Sequence, residues 1–208
     1  MVVICEKNGG SPMGYAELET KNVRLHAENE LLRAEIHILK GRLTLLDTHQ
    51  SLAKGMRGES LVAKWTNGSV TIHNAAHDVE TAVGLVRLEI KYSGLNVAVR
   101  NRELGGRETR RWAWSKPFGE SSKKKYDRLI LVGDKDPRYI DQYQGIDCPY
   151  VLFDVPFSEI LPLTIQTNRG HYRSIQLTTN PKTAKSAAST LFYKYQVSLA
   201  ELTKLYGL

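Results

Sequence analysis

Hydrophobic residues follow two different spacings along the chain. From residue 15 to residue 46, leucine recurs at every seventh position, a spacing that keeps one side of an α-helix apolar. Farther along, short runs either alternate between apolar and polar residues or are apolar throughout, as is typical of half-buried and fully buried β-strands. The pattern therefore predicts a long N-terminal helix followed by an α/β domain that contains a β-sheet.

The leucine repeat has the form of a coiled coil. Leucine occupies position d of each heptad, and position a carries asparagine twice, a residue that selects the register and a parallel two-stranded state. The charges at positions g and e attract between parallel chains, as in Glu28 against Arg33 and Glu35 against Lys40. We therefore expect a homodimer through this helix. The pairing residues are Leu18, Asn22, Leu25, Asn29, Leu32, Ile36, Leu39, Leu43 and Leu46.

A second apolar row leaves another arrangement of this helix open. Leu31, Ile38 and Leu45 recur at position c, so the helix could instead lie on its own domain. Gly41 also weakens the helix locally. Both arrangements could hold at once, with the a and d positions pairing two chains and the c row docking on the core.

The segment GLVRLEIKYS predicts a strand with two distinct faces. Its residues alternate between apolar and charged side chains, and successive side chains of a strand point to opposite faces of a sheet. The apolar face is expected to lie on the core and is formed by Val86, Leu88 and Ile90. The charged face is formed by Arg87, Glu89 and Lys91.

Other segments predict the rest of an α/β core. DRLILVGD and YVLFDVP are β-rich runs of the kind found in central strands. After a loop around Gly55, RGESLVAKWTNG predicts a short helix that ends near Gly68. Trp112 and Trp114 fall on one face of a strand and are expected in the core. The predicted fold is a mixed central β-sheet flanked by helices.

The C-terminal residues predict two helices. One is expected from about Lys182, with a break near Gln196 and Val197. The next begins after Ser198, which with Glu201 forms a capping box, and is expected to pack as a terminal helix. The chain is thus divided into a tail (1–14), the leucine-zipper-like helix (15–50), a core (51–170) and a C-terminal helical segment (171–208).

Composition narrows the class of protein. Hydrophobic residues make up 41% and charged residues 25% of the 208 residues, which is ordinary for a globular protein. Cys5 and Cys148 are too few for a disulfide framework, which favours a reducing compartment. No stretch reaches the ~18 apolar residues of a membrane span. We therefore expect a soluble, cytoplasmic protein that has no membrane partner.

Positive charge is concentrated in one segment. The net charge is +7, and residues 100–128 alone contain ten basic and four acidic residues. Such a concentration indicates a polyanion partner, here double-stranded DNA, although a solvated basic loop would have the same composition. The candidate DNA-binding residues are Arg107, Arg110, Arg111, Lys116, Lys123, Lys124 and Lys125, with base reading most plausible for Arg110 or Arg111.

The charged face of the GLVRLEIKYS strand carries the candidate chemistry. Glu89 and Lys91 are two residues apart, so their Cα atoms lie ~6.6 Å apart and their side chains leave the same face. Asp78 precedes Glu89 by eleven residues, and a hairpin turn would bring it back beside this strand. Two carboxylates and a backbone carbonyl suit Mg²⁺ (or Mn²⁺), which fills its octahedron with water and phosphate oxygens. Phosphodiester hydrolysis is the reaction that such a site suits.

Asp78, the triplet Glu89-Ile90-Lys91 and a preceding helix that carries Glu59 resemble the PD-(D/E)XK nuclease superfamily. The resemblance runs from residue 57 to residue 156 and implies a restriction-endonuclease-like core. It implies that Asp78 and Glu89 ligate the metal, that Lys91 positions or activates the attacking water, and that Glu59 assists.

The sequence departs from the family pattern at two positions of the turn. His77 stands where the family has proline, and Glu80 could replace Asp78 as a ligand if the turn is built differently. The resemblance implies a metal-dependent DNA endonuclease of the restriction or homing type that acts as a dimer. The alternative is a non-catalytic DNA-binding module of the same fold, in which the charged residues only support a binding surface.

Overall fold

The computed structural model describes residues 15–48, 50–72, 75–97, 109–119, 124–145, 148–167 and 170–207. They belong to two compact units, which divide after Gln50. No helix in these ranges is both long and apolar enough to cross a membrane.

The first unit contains one long helix, α1, which spans Tyr15–Thr48. It confirms the helix that the leucine repeat predicts. The side chains of residues 17–41 are all exposed, including Leu25 at 44% and Leu32 at 52%. The apolar d positions in this range therefore lie on an accessible surface of the helix.

Helix α2 spans Gln50–Trp65, and from Ser51 onward it belongs to the second unit. The predicted loop around Gly55 is wrong, because the helix continues through it; one glycine costs a helix only about 1 kcal/mol. Gly58 has a packing role instead. A Cβ at this position would lie 2.9 Å from the Cβ of Tyr92, so glycine lets α2 approach the strand that carries Ile90 and Tyr92.

A mixed sheet forms the centre of this unit and confirms the predicted mixed sheet. Its strands are ordered β1-β2-β3-β6-β7-β10. β3 and β6 pair in parallel, and the other neighbours pair antiparallel. The segments DRLILVGD and YVLFDVP are central strands, as predicted. The strands are β1 (Ser69–Val70), β2 (Val79–Glu80), β3 (Arg87–Ser93), β6 (Arg128–Asp134), β7 (Tyr150–Pro156) and β10 (Gln196–Val197).

A second, antiparallel sheet was not predicted. Its order is β4-β5-β9-β8. Trp112 and Trp114 of β5 are buried, as expected, against Leu129, Leu131 and Phe153 of the central sheet. The predicted flanking helices therefore cover one face only, because this face is covered by a second sheet. The strands are β4 (Asn96–Val97), β5 (Arg110–Ser115), β8 (Ile165–Thr167) and β9 (Tyr172–Thr178).

Helices cover the opposite face of the central sheet. Val62 of α2 packs there with Leu88, Ile130 and Val132, and so does Leu202 of the last helix. Ile130 and Val132 of β6 thus pack on the side of the helices, and Leu129 and Leu131 pack on the side of the second sheet, since successive side chains of a strand point to opposite faces. The apolar face of β3 lies toward α2, and its charged face lies on the side of the second sheet.

The C-terminal residues correct part of the sequence prediction. No α-helix begins near Lys182. Two short 3₁₀ turns (Pro181–Thr183 and Ala187–Thr190) and one π-helical turn (Leu191–Tyr195) occupy most of this segment instead. The residues before them form β9, so this segment is not simply helical. The Ser-, Thr- and Asn-rich composition favours turns over a continuous helix. The last helix, α3 (Leu199–Tyr206), is confirmed, and its capping box is formed by Ser198 and Glu201.

Asp136 anchors the turn that follows β6, and it carries a stability prediction. It is fully buried and accepts hydrogen bonds from the side chains of Arg138 and Thr179. Burial alone would raise its pKa, but these hydrogen bonds outweigh burial and lower the pKa to about 2. We expect Asp136→Asn to lower the free energy of unfolding by about 2 kcal/mol at pH 7.

The pH dependence of this effect has a definite sign. A carboxylate whose pKa is depressed in the folded state stabilises that state above its unfolded value of about 3.9, and the stabilisation is lost as the pH falls through the folded value. Urea unfolding at several pH values should therefore show the wild type and Asp136→Asn converging between about pH 4 and pH 2. A difference that stays constant over this range would contradict the role given to the charge.

Candidate active site

The hairpin of β2 and β3 brings Asp78 to the charged face of β3. Val79 pairs with Leu88, and the Asp78 N–H donates to the carbonyl of Leu88 at 2.9 Å. One carboxylate oxygen of Asp78, Oδ2, accepts a hydrogen bond from the N–H of Ile90 at 2.9 Å. The hairpin register and this hydrogen bond fix the carboxylate beside Glu89, which lies two residues before Lys91.

Glu89 is the buried centre of the cluster. Its side chain is fully buried, and its Oε1 accepts a hydrogen bond from the ammonium of Lys91. The Lys91 Nζ also lies 3.8 Å from Asp78 Oδ2. Burial raises the pKa of Glu89 to about 7, with the Asp78 charge acting in the same direction and the lysines opposing it. A buried carboxylate with two cationic neighbours is the kind of group found at functional sites.

Lys124 joins this cluster, whereas the sequence predicted it only as a DNA contact. Its Nζ donates to Asp78 Oδ1 at 2.7 Å and to Glu89 Oε2 at 2.6 Å. The two carboxylates therefore converge on one cation. Burial lowers the pKa of Lys124, but the hydrogen bonds to both carboxylates outweigh it, and the pKa is raised.

Backbone hydrogen bonds of the residues that follow Lys124 in the chain hold this segment beside the cluster. The Lys125 N–H donates to the Ala76 carbonyl at 3.0 Å, and the Asp127 N–H donates to the Arg87 carbonyl at 2.8 Å. The Arg87 side chain returns two hydrogen bonds to Asp127. The parallel pairing of β6 with β3 brings the residues before β6 to the same sheet edge as Asp78. The sequence carries no local signal that singles out Lys124, because Lys125 beside it is the same residue type.

Glu59 occupies a different position from the other three predicted catalytic residues. It follows Gly58, which packs on Ile90 and Tyr92, and these side chains lie on the face of β3 opposite Glu89. The structure thus brings together Asp78, Glu89 and Lys91, whereas Glu59 lies on α2, which packs on the opposite face of β3.

The turn also distinguishes Asp78 from Glu80, which the sequence left open as a ligand. Glu80 Oε2 lies 3.6 Å from His77 Nε2, and 44% of the Glu80 side chain is exposed. The carboxylate that shares a cation with Glu89 is Asp78. Of the two acids, Asp78 is therefore the one placed to act with Glu89.

The other predicted DNA-binding residues lie in several surroundings. Arg110 Nη1 is 3.6 Å from the buried Asp136, so it belongs to the anchor of the turn after β6. Arg111 donates to Gln176, and Lys125 is exposed. Lys116 lines a pocket that the sequence did not predict. Arg107 and Lys123 lie outside the described residues.

The pocket at Lys116 has a volume of about 180 Å³ and is basic. Lys116, His171 and Arg173 line it, and none of the described residues around it is acidic. Lys116 is held in the left-handed backbone region at φ 53°, a strained conformation for a residue with a side chain. Strained residues cluster at binding sites, so this pocket is a candidate for contact with an anion.

The donor set of the cluster fits a hard divalent cation. Among the described residues, no group of three or more His, Cys, Asp or Glu side chains is placed to hold a metal ion. Two carboxylate oxygens that already converge on one cation, Lys124, suit Mg²⁺, which commonly binds through one or two carboxylates and keeps several waters. Asp78 and Glu89 are the residues that would hold such an ion.

No model of a known protein family matches this chain, and no curated protein is significantly similar to it.

Proposed function

We propose that the protein is a Mg²⁺-dependent endonuclease with a restriction-endonuclease-like core, which hydrolyses phosphodiester bonds of double-stranded DNA. One observation carries the proposal. Oxygens of Asp78, just before β2, and of Glu89 in β3 lie 2.7 and 2.6 Å from a single cationic nitrogen, with the ammonium of Lys91 beside them. Two carboxylates that converge on one cation beside a lysine suit metal-assisted phosphodiester hydrolysis.

Each residue of the cluster has a role in this proposal. Asp78 and Glu89 hold the metal ion, which when bound polarises the phosphoryl oxygen and lowers the pKa of water. Lys91 neutralises Glu89 and lies close enough to Asp78 to hold the attacking water or a phosphate oxygen. The hydrogen bond from the Ile90 N–H keeps Asp78 oriented, so the carboxylate pair is formed before substrate binds.

The choice of DNA as substrate is supported by charge. The chain has a net charge of +7, and the basic pocket of Lys116, His171 and Arg173 is formed by the residues after β5, by β8 and β9, and by residues just before β9. Cationic side chains of this kind neutralise backbone phosphates and bind without regard to sequence. Lys125, exposed next to Lys124, would extend the contact.

A homodimer through α1 is part of the proposal. Positions a and d of the heptads lie on one side of α1 and are mostly leucine, with asparagine twice at position a. Between residues 17 and 41 their side chains are all exposed. Two nuclease domains related by a two-fold axis can cut both strands of a symmetric DNA site, whereas one domain cuts one strand. The repeat thus supports an enzyme of the restriction or homing type.

The proposal is tested by cleavage of supercoiled plasmid with Mg²⁺ and with a chelator. We expect the wild type to nick and linearise the plasmid only with Mg²⁺. Lys91→Met should cut about 10²-fold more slowly or worse, since it removes a group that positions water or phosphate. Lys64→Met, which changes an exposed lysine on α2, is the matched control and should cut at the wild-type rate.

Two other outcomes would contradict the proposal. DNA that is bound but left intact by the folded wild type, at any Mg²⁺ concentration, would identify a non-catalytic binding module. Cleavage by Lys91→Met at the wild-type rate would place the chemistry elsewhere in the protein.

A further inference from the structure

Lys124 occupies the position between the two carboxylates that the proposed metal ion would need. Its Nζ is 2.7 Å from Asp78 Oδ1 and 2.6 Å from Glu89 Oε2. Resting on the proposed function, we infer that Lys124 is a built-in competitor of the divalent cation. It neutralises the carboxylates in the metal-free protein and leaves them when the metal binds.

Distance excludes simultaneous occupancy. Mg²⁺ binds carboxylate oxygens at about 2.0–2.1 Å, so an ion shared by Asp78 Oδ1 and Glu89 Oε2 would lie within the space that the Lys124 nitrogen fills. Two cations at such close range repel strongly in a partly buried site. Binding of the metal therefore requires the ammonium of Lys124 to move.

The charge balance explains why a competitor is present. Glu89 is fully buried, and a buried carboxylate without a partner destabilises a fold. When both carboxylates are ionised, the two negative charges of Asp78 and Glu89 balance the two positive charges of Lys91 and Lys124, so the metal-free cluster is neutral. A divalent ion added to this neutral cluster would leave it with an excess of two positive charges. Departure of Lys124 removes part of that excess.

The side chain of Lys124 lies next to a surface that could receive it. Gly119 lines the basic pocket of Lys116 and Arg173. A Cβ on Gly119 would lie 2.8 Å from Lys124 Cγ, so the pocket wall touches the stem of this lysine. An ammonium that leaves the carboxylates therefore stays beside the proposed path of the DNA phosphates.

The test compares the affinity of wild type and Lys124→Met for Mn²⁺ in the absence of DNA, by isothermal titration calorimetry. We expect Lys124→Met to bind Mn²⁺ about tenfold more tightly or better, because the competing charge is gone. Without metal, Lys124→Met should melt at a lower temperature than wild type, and Mn²⁺ should raise its melting temperature more. Lys125→Met changes the exposed neighbour and should match the wild type in both measurements. Lys124→Gln, which keeps a hydrogen-bond donor without the charge, replaces the methionine variant if that variant fails to fold.

The outcomes separate this inference from the proposed function. If the wild type binds Mn²⁺ and Lys124→Met binds it equally or more weakly, Lys124 is no competitor, while the metal site stands. If neither protein binds Mn²⁺, the metal-dependent function fails and the competitor role fails with it.

Discussion

Replacement of Glu89 by glutamine is expected to slow Mg²⁺-dependent DNA cleavage by about 10³-fold or more. Glu89 Oε2 and Asp78 Oδ1 are the two oxygens that converge on one cation. Glutamine keeps the shape of the side chain and one acceptor oxygen, but it removes the charge that holds a divalent ion. A metal ion contributes several kcal/mol to the stabilisation of phosphoryl transfer, and each 1.36 kcal/mol corresponds to a factor of ten in rate.

The measurement is the initial rate of plasmid nicking at saturating enzyme, together with circular dichroism to check the fold. Glu80→Gln is the matched control, since it removes a negative charge from the same hairpin. The Glu80 side chain lies near His77 rather than in the cluster. We expect this control to cut within about threefold of the wild type, as surface substitutions usually perturb a protein little. Cleavage by a folded Glu89→Gln within tenfold of the wild type would contradict the proposed role of Glu89.

The part of the site that the sequence predicted is the part built from local structure. Alternation along β3 places Glu89 and Lys91 on one face, and the hairpin that returns Asp78 to this face spans only eleven residues. Period-two alternation and short turns can be read from one sequence because both depend on neighbouring residues. The alternation and the short hairpin are therefore enough to predict that these three side chains lie together.

Lys124 was misjudged because its position depends on distant pairing. It stands 46 residues after Asp78 in the chain. It reaches the cluster only because β6 pairs in parallel with β3 and carries the residues before it to the same edge. Nothing in the local composition distinguishes Lys124 from Lys125, which is exposed. Lys124 enters the site and Lys125 faces solvent, although they are adjacent in the chain.

The second sheet was missed for a similar reason. The sequence placed Trp112 and Trp114 in the core, and both are buried. The central sheet covers them through Leu129, Leu131 and Phe153. The sheet that carries them is completed by β9, more than 60 residues later, which pairs beside β5. The indole N–H groups of both residues donate to carbonyls of β6, so the packing of the two sheets also satisfies buried donors. Burial of a residue can be predicted from alternation, but the identity of its cover requires the topology.

Charge at position d of α1 is expected to convert the proposed dimer into a monomer. The proposed variant changes Leu25, Leu32 and Leu39 to aspartate together. Each buried leucine contributes about 1.5–3 kcal/mol. Three such residues from each of two chains exceed the about 8 kcal/mol that holds a micromolar dimer together. Sedimentation equilibrium at micromolar concentration should therefore show a dimer for the wild type and a monomer for the triple variant.

A matched variant at position c separates the two arrangements of the helix. Leu31 and Ile38 are 73% and 55% exposed, so they are at least as accessible as the d positions, but they lie outside the a and d seam. Leu31→Asp with Ile38→Asp should remain dimeric if the seam pairs two chains. If the c-row variant dissociates and the d-row variant does not, the heptad assignment is wrong.

The oligomeric state should also change the product of DNA cleavage. A dimer presents two copies of the Asp78 and Glu89 cluster, so one binding event can break both strands, whereas a monomer breaks one strand at a time. The triple leucine variant should therefore accumulate nicked plasmid before linear plasmid appears, while its initial nicking rate at saturating enzyme stays near that of the wild type. Linear product formed by the monomer without a nicked intermediate would show that one domain cuts both strands. In that case α1 would have a purpose other than pairing two active sites.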